Sequence, residues 1–358
     1  MEDILRKLVA FRSTADDVAA THQALDYVAS FVAVRGMHVE RYESNGHESL
    51  VATIKPGNKT PKVMLAAHLD VLPAPDELFE LRKSGGKLYG RGVLDMKYAI
   101  ASYLQIIDEQ QDSLQDLDFG LMITTDEELG GVDGVGQLVT EGYLPQVCVL
   151  PDGDDNWQIQ LFSKGFLYIQ LQAYGTPAHG SRPWLGDNAI LPLMDAIRDI
   201  QALFVGQSTN TPTLNVGKIQ GGTAANQVAD YAEALIDIRF NNHDEKQTIL
   251  QQVQDICTAH GVTLSVHIDG DTTSYSLDNP YIAPFAQLIT EVTGVTVTGS
   301  RTLGTNDTRF YTPYNVPCIS FYPTGDGHHG PEEWIDEKAF YQFKEIIDRY
   351  LQQMARVS

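Results

Sequence analysis

The sequence predicts an α/β protein: a mostly parallel central sheet, with a second, α+β domain inserted into the chain. Three observations predict it. Short continuous apolar runs at 63–67, 119–123, 146–150 and 316–322 have the character of strands buried on both faces, as parallel strands are. Stretches of helical periodicity separate those runs. Between 163 and 272 the strands instead alternate apolar and polar residues, as in a sheet with one face open. A chain of 358 residues is long for one domain. The division expected is 1–162 with 273–358 as one domain and 163–272 as the other.

Taken in order, residues 1–36 predict two helices. Val28, Phe31, Val32 and Val34 form the apolar face of the second, and Gly36 ends it. A strand is expected at 49–54 and a turn at 57–61. The run 63–67 is a buried strand that ends in His68-Leu69-Asp70. On extended backbone His68 and Asp70 share a face. The polar, Pro/Gly-containing stretch 73–90 is expected to be a loop over the sheet edge. Asp95 precedes a helix at 98–109 and could serve simply as its N-cap. The strand at 119–123 runs into Asp126-Glu127-Glu128-Leu129-Gly130-Gly131. Adjacent side chains there point in different directions, although paired glutamates are ordinarily a solvated turn. The strand at 146–150 ends in Asp152-Gly153-Asp154-Asp155, a turn of which one acid need matter. In the inserted domain, strands are expected at 166–172, 213–219, 231–240 and 263–268, with helices at 188–204 and 245–260. The chain then returns with a helix at 280–292, a Gly/Thr loop at 299–307, the strand 316–322, the segment His328-His329-Gly330-Pro331-Glu332-Glu333 and a helix at 337–357.

Composition excludes several roles. The formal charge is -22, from 25 basic and 47 acidic residues, and such a surface repels nucleic-acid phosphates and anionic membranes. The three cysteines, Cys148, Cys257 and Cys318, form no CxxC pair. A disulfide framework is not expected, which favours a reducing, cytoplasmic setting. The apolar residues near the N-terminus are broken by charges, so no signal peptide or membrane span is expected.

The buried strands end at His68, at Glu127/Glu128, at Asp152 and, after a short loop, at His328/His329. In an open parallel sheet, ligands bind beyond the carboxyl ends of the strands. Together with Asp95, these residues converge on one crevice. Each has a bland explanation by itself; their joint placement does not. Two histidines and several carboxylates without cysteine suit zinc, cobalt or manganese. The ligand number exceeds the three that one catalytic zinc usually takes from protein, so two ions bridged by one carboxylate fit better.

With these residues in view, the chain resembles the M20 metallopeptidases over nearly its whole length. The resemblance rests on AAHLDVLP at 66–73, GRGVLDMK at 90–97, TTDEELGG at 124–131, GTPAHGSRP at 175–183, GGTAANQVAD at 221–230, DIR at 237–239, GTNDTRF at 304–310 and HHGPEEW at 328–334. It implies a zinc-exopeptidase type of catalytic domain that binds two metal ions, with the inserted domain acting as lid and dimerisation unit. By the same resemblance, His68 and Asp152 bind one ion and Glu128 and His329 the other. Asp95 bridges them, through a residue whose peptide bond to Met96 is cis. Asp70 orients His68, and Glu127 is the general base. His329 is preferred to His328 because Glu333 follows it at the family's spacing; His328 is the alternative. His179 and Asn226 approach the scissile carbonyl, the histidine from a neighbouring subunit, and Arg239 holds a substrate carboxylate. Without the resemblance, His179 and Asn226 would be ordinary surface residues and Arg239 half of a strand-edge ion pair.

The activity implied is hydrolysis of an amide bond in a small peptide or N-acyl amino acid, with two divalent ions, zinc first and cobalt or manganese as alternatives. A homodimer through 163–272 is implied too. Asp152 stands where desuccinylases and many deacetylases carry Glu, which favours the peptidase branches. Arg309 is similar to the desuccinylase pattern and suggests a substrate contact. Tyr98 replaces a frequent Gly after Lys97. Two other classes compete: a non-catalytic binding protein on the same scaffold, against which the retained Glu127 speaks, and a two-metal phosphohydrolase, for which no phosphate-cradling loop is found.

Overall fold

The structure, a computed structural model, describes residues 1–153 and 156–356. Asp154 and Asp155, and position 357 at the end of the expected last helix, lie outside the described residues. The chain forms two compact units: Met1–Phe162 with Ser274–Thr302 and Asn306–Ser358, and Ser163–Thr273 with Leu303–Thr305.

In the first unit a six-stranded sheet has the spatial order His38–Ser44, His47–Thr53, Phe119–Thr124, Val63–His68, Val147–Val149, Cys318–Ile319. The last four are mutually parallel, and the first two form an antiparallel hairpin on one side. Parallel strands need crossovers; the helix Lys97–Glu109 lies between Val63–His68 and Phe119–Thr124 in the chain. Every residue of Val63–His68 and of Phe119–Thr124 is buried, as continuous apolar runs require. Helices Glu2–Ala10, Val18–Ala33, Lys97–Glu109, Ile282–Thr293 and Glu337–Met354 supply Leu5, Val28, Leu104, Phe285 and Phe343 to one core. Because the four parallel strands point the same way, their carboxyl ends share one rim.

Several local expectations need correction. Val34 lies beyond the helix that ends at Ala33 and is 74% exposed, so it is not part of the apolar face. The stretch 73–90 is not a plain loop: Arg82–Ser84 and Lys87–Tyr89 pair in a four-stranded sheet with Trp334–Asp336 and Gly325–Asp326. The expected strand 316–322 is in register only at Cys318–Ile319. Within 299–307, Ser300–Thr302 is a strand.

In the second unit, four antiparallel strands have the order Thr213–Gly221, Tyr231–Phe240, Gly165–Tyr174, Thr263–Gly270. Alternate residues such as Leu167, Ile169, Leu171, Ile236 and Ile238 are buried with Leu193, Ile197 and Val253 of helices Ile190–Gln201 and His243–His260. The opposite face is polar: Gln170 Nε2 donates to Glu233 (2.7 Å), as does Tyr231 Oη (2.6 Å). The period-two pattern thus separates a packed face from an open one. The three thiols are free and buried. Among the described residues no helix is long and apolar enough to cross a membrane.

Candidate metal centre

The strand Val63–His68 delivers His68 to the rim, where its ring is held from both sides. Nδ1 meets the main-chain oxygen of Asp70 at 3.0 Å and the Asp70 carboxylate at 3.5 Å, while Nε2 faces Asp95 Oδ1 at 3.0 Å. A ring nitrogen fixed by an oxygen acceptor leaves the other free as a ligand. The second oxygen of Asp70 accepts the Glu128 N–H at 3.0 Å. One side chain therefore ties two strand ends together.

Asp95 does not cap the following helix. Met96 occupies the cap position, and the bond between the two residues is cis. The Asp95 loop is instead gathered by Glu333, whose buried carboxylate accepts N–H groups from Gly92 (2.9 Å), Leu94 (2.9 Å) and Asp95 (3.1 Å) and pairs with Arg91 at 3.0 Å. Arg91 also donates to the main-chain oxygen of His329 (3.3 Å). The Asp95 oxygens are thereby divided between two imidazoles: Oδ1 at His68, and Oδ2 2.9 Å from His329 Nε2. His329 also lies 3.4 Å from Glu128. His328 points elsewhere, its ring against Tyr322 at 5.7 Å between centroids.

After strand Phe119–Thr124 the chain makes a single 3-10 turn, Glu127–Leu129, closed by Gly130 and Gly131, both at positive φ. Only glycine adopts that conformation cheaply, and a Cβ on Gly131 would collide with the Asp307 carboxylate. The turn sends Glu127 and Glu128 to different partners. Donor atoms of His68, Glu127 and Asp152 lie within 4.8 Å of one another, as do those of Asp95, Glu128 and His329. Asp152 is held through its main-chain oxygen by Ser320 Oγ (2.6 Å) and Asn306 Nδ2.

The electrostatics show what this donor set lacks. Burial, with Asp152 close by, pushes Glu127 well above the usual carboxylate range. Burial and Asp95 push Asp152 up to about 6. Burial opposes charge on His68, yet Asp70 and Asp95 hold its pKa well above the ordinary value. Hydrogen bonds to Asp95 and Glu128 push His329 up to about 10. Glu127, Asp152 and both imidazoles are thus shifted upward, as expected where buried negative charge is in excess and favours positive charge nearby; Asp95, between the two imidazoles, is instead held well below the usual carboxylate range despite its burial. Two divalent cations satisfy that demand, and N/O donors of this kind suit them.

The other predicted residues are not among these donor groups. Arg309 is buried, donates to the main-chain oxygens of Asn306 (3.2 Å) and Gly130, and stacks on Phe310. Its guanidinium thus braces the turn that carries Glu127 and Glu128. In the second unit His179 and Asn226 are exposed neighbours: Gly180 N–H donates to Asn226 O at 2.7 Å, and His179 Nδ1 contacts Ser181 Oγ at 2.8 Å. Arg239 forms a two-bond pair with Asp237 (2.8 and 3.0 Å) and lies over Phe166 at 5.1 Å. Its strand is interior, not an edge. The sequence reading passed over Tyr322, whose hydroxyl contacts both Asp95 and Asp152. It stands at the end of one of the buried runs, so the strand-end criterion would have found it had phenols been considered beside acids and imidazoles.

The chain is similar to several known proteins. Residues 64–353 match the model of peptidase family M20/M25/M40. Succinyl-diaminopimelate desuccinylase of Acidiphilium cryptum (strain JF-5) is 26% identical over 376 residues, covering 99% of this chain and 98% of its own. Among solved structures, a tripeptidase from Staphylococcus aureus superposes with a TM-score of 0.80 at 20% identity, covering 99% of this chain and 97% of its own. A metallo-carboxypeptidase from Sulfolobus solfataricus superposes with a TM-score of 0.77 at 18% identity, covering 97% of each.

Proposed function

The chain belongs to peptidase family M20/M25/M40, and from that membership we propose a role for each residue of the rim. The protein is a metal-dependent hydrolase that cleaves an amide bond of a small peptide or N-acyl amino acid. His68 and Asp152 would hold one cation, Glu128 and His329 a second, and Asp95 both. The observation that carries this reading is the division of Asp95, one oxygen 3.0 Å from His68 and the other 2.9 Å from His329.

Zinc is the ion proposed, with cobalt or manganese as substitutes. Bound there, such ions would supply Lewis acidity and lower the pKa of the attacking water towards about 7. Glu127 takes the proton from the attacking water and returns one to the departing nitrogen, as the carbonyl C–N bond breaks. The products are a carboxylate and a free amine. Asp70 keeps the His68 ring fixed throughout. Asp152, in place of Glu, favours the peptidase branches over the desuccinylases. A contact between Arg309 and substrate is not part of this proposal, because that side chain is occupied below the turn.

His179 and Asn226 would donate to the developing oxyanion, and Arg239 would hold the substrate carboxylate. Strand geometry supports a homodimer here. Tyr231 pairs with Tyr174, close in sequence to His179, whereas Arg239 pairs with Phe166 at the other end of the same strand. Eight steps at about 3.4 Å separate the two ends by roughly 27 Å, more than a small substrate spans. His179 would therefore serve the site of a second copy. Leu191 and Met194 on helix Ile190–Gln201 and Ile219 on the edge strand are exposed apolar residues suited to that contact. The free, buried thiols agree with a reducing cytoplasm.

The test is hydrolysis of dipeptides, acetyl-ornithine and succinyl-diaminopimelate by zinc-loaded protein, before and after chelation and with Glu127→Ala. Turnover is expected only in the loaded, unsubstituted enzyme; undiminished turnover in Glu127→Ala would overturn the assignment of the base.

A further inference from the structure

We infer that Tyr322 is a positioning residue for the cation site of His68 and Asp152: its hydroxyl engages one oxygen of Asp152 and so limits that carboxylate to a single ligand atom. The inference rests on the metal-centre reading above.

Tyr322 is 4% exposed. Its hydroxyl lies 2.5 Å from Asp152 Oδ1 and 3.0 Å from Asp95 Oδ1. A phenol has one proton to give, and the shorter contact has the length of a charge-assisted O–H···O⁻ bond. The rest of the residue is held at two points. The main-chain oxygen of Tyr322 accepts the Trp157 N–H at 2.8 Å, and the ring packs beside His328.

The backbone of Asp152 is fixed independently of the phenol. Ser320 Oγ and Asn306 Nδ2 bind its main-chain oxygen, and Tyr98 Oη donates to the preceding Pro151 oxygen at 3.0 Å. With the main chain anchored, the remaining freedom of Asp152 is rotation of a short carboxylate. Unrestrained, both oxygens could turn onto one cation. A donor locked onto Oδ1 leaves Oδ2 as the ligand. A ligating carboxylate is usually held by a hydrogen bond of this kind, and losing such a partner typically costs about 10–100-fold in metal affinity or activity. The same hydroxyl touches the bridging carboxylate on the oxygen facing His68, so its influence falls on one cation site and spares the pair Glu128/His329.

Tyr322→Phe removes the oxygen and keeps the ring. Metal-free wild type and variant are titrated with Zn²⁺ by calorimetry and, separately, with Co²⁺ by visible absorption. Wild type is expected to bind two ions. In the variant one site should weaken about 10–100-fold while the other stays within about threefold, and the Co²⁺ bands of the weakened site should lose intensity as its coordination number rises. Thermal unfolding of the metal-free forms shows whether the variant folds. Asp152→Asn should weaken the same site. Two unchanged affinities with an unchanged Co²⁺ spectrum would overturn the role of Tyr322 alone; a wild type that binds no ions would overturn the metal-centre reading itself. A variant that unfolds without metal, and whose loaded form keeps both affinities, likewise reduces Tyr322 to a core aromatic.

Discussion

The two units hold their functional candidates in opposite ways. At the rim of the first, His68 and Asp95 are buried, Glu127, Glu128 and Asp152 are half-buried and His329 is exposed, and His68, Asp95 and Asp152 already have hydrogen-bond partners within the same unit. In the second, His179 and Asn226 stand on exposed loops, and Arg239 has the neighbouring Asp237 for company. The first arrangement is assembled before anything binds, so damage to it should harm binding, chemistry and stability together. On the reading proposed above, the second would act only when substrate or another subunit arrives, so damage there should leave folding alone. Substitutions that report activity and stability side by side test this contrast.

The largest effect is expected at Asp95, which faces both imidazoles. Asp95→Ala should abolish turnover and reduce metal content below two ions per chain. Ions that bind only the folded state stabilise it by about 2.7 kcal/mol at a hundredfold excess over Kd. Wild type should therefore melt higher with zinc than after chelation, and Asp95→Ala should lose most of that gain. Next comes Glu127→Gln, for which loss of a general base predicts a fall in kcat of about 10²–10⁴-fold. Because Glu127 shares a cluster with His68 and Asp152, the metal content measured alongside separates a base from a ligand. Retained ions with lost turnover identify the base.

Glu333 has no part in the reaction proposed, yet it collects three N–H groups and Arg91 inside the unit. Removing one partner of a buried ion pair costs about 3–5 kcal/mol. Glu333→Ala should accordingly lower the denaturation midpoint strongly. His179→Ala should instead lower activity and leave the denaturation midpoint nearly unchanged. The loss of one oxyanion donor costs about 10²–10³-fold in kcat, but an exposed substitution shifts stability by no more than about 0.5 kcal/mol. If His179 serves the partner's site, mixing His179→Ala with Glu127→Gln after subunit exchange should restore activity, since each mixed dimer then contains one intact pairing. A mixture as inactive as its components would refute exchange across subunits.

How much of this was legible follows from the same contrast. Burial writes itself into sequence as continuous apolar runs, so strands 63–68 and 119–124 and the acids at their ends could be read directly. The edge strand His38–Ser44 was not, because its residues are mostly half-exposed and give no continuous run. Arg82–Ser84 is wholly exposed and three residues long, with no pattern to betray it. The run 316–322 shortens to two ladder residues because its neighbour Val147–Val149 is itself only three long. Tyr322 stayed hidden because a tyrosine that ends an apolar run passes for an ordinary core residue when strand ends are searched for acids and imidazoles alone; in the structure its oxygen contacts two acids. The roles of His179, Asn226 and Arg239 rest on motif resemblance, since exposed residues leave no periodic trace.

Arg239 offers the finest test. Its guanidinium already makes two bonds to Asp237, so a purely structural ion pair explains its position as well as a substrate contact does. The explanations part over what Lys can replace. Lysine keeps the charge but loses the planar fork that grips a carboxylate with two parallel bonds. If Arg239 holds the substrate carboxylate, Arg239→Lys should raise KM by about tenfold, equivalent to about 1.4 kcal/mol, with kcat nearly unchanged. Substrates whose carboxylate is amidated should bind as weakly to wild type as to the variant. If the pair with Asp237 is all that matters, both substrate forms should shift together, and Asp237→Asn should reproduce the effect. Equal KM changes for free and amidated substrates would place Arg239 with the scaffold of the second unit and leave carboxylate recognition to another residue.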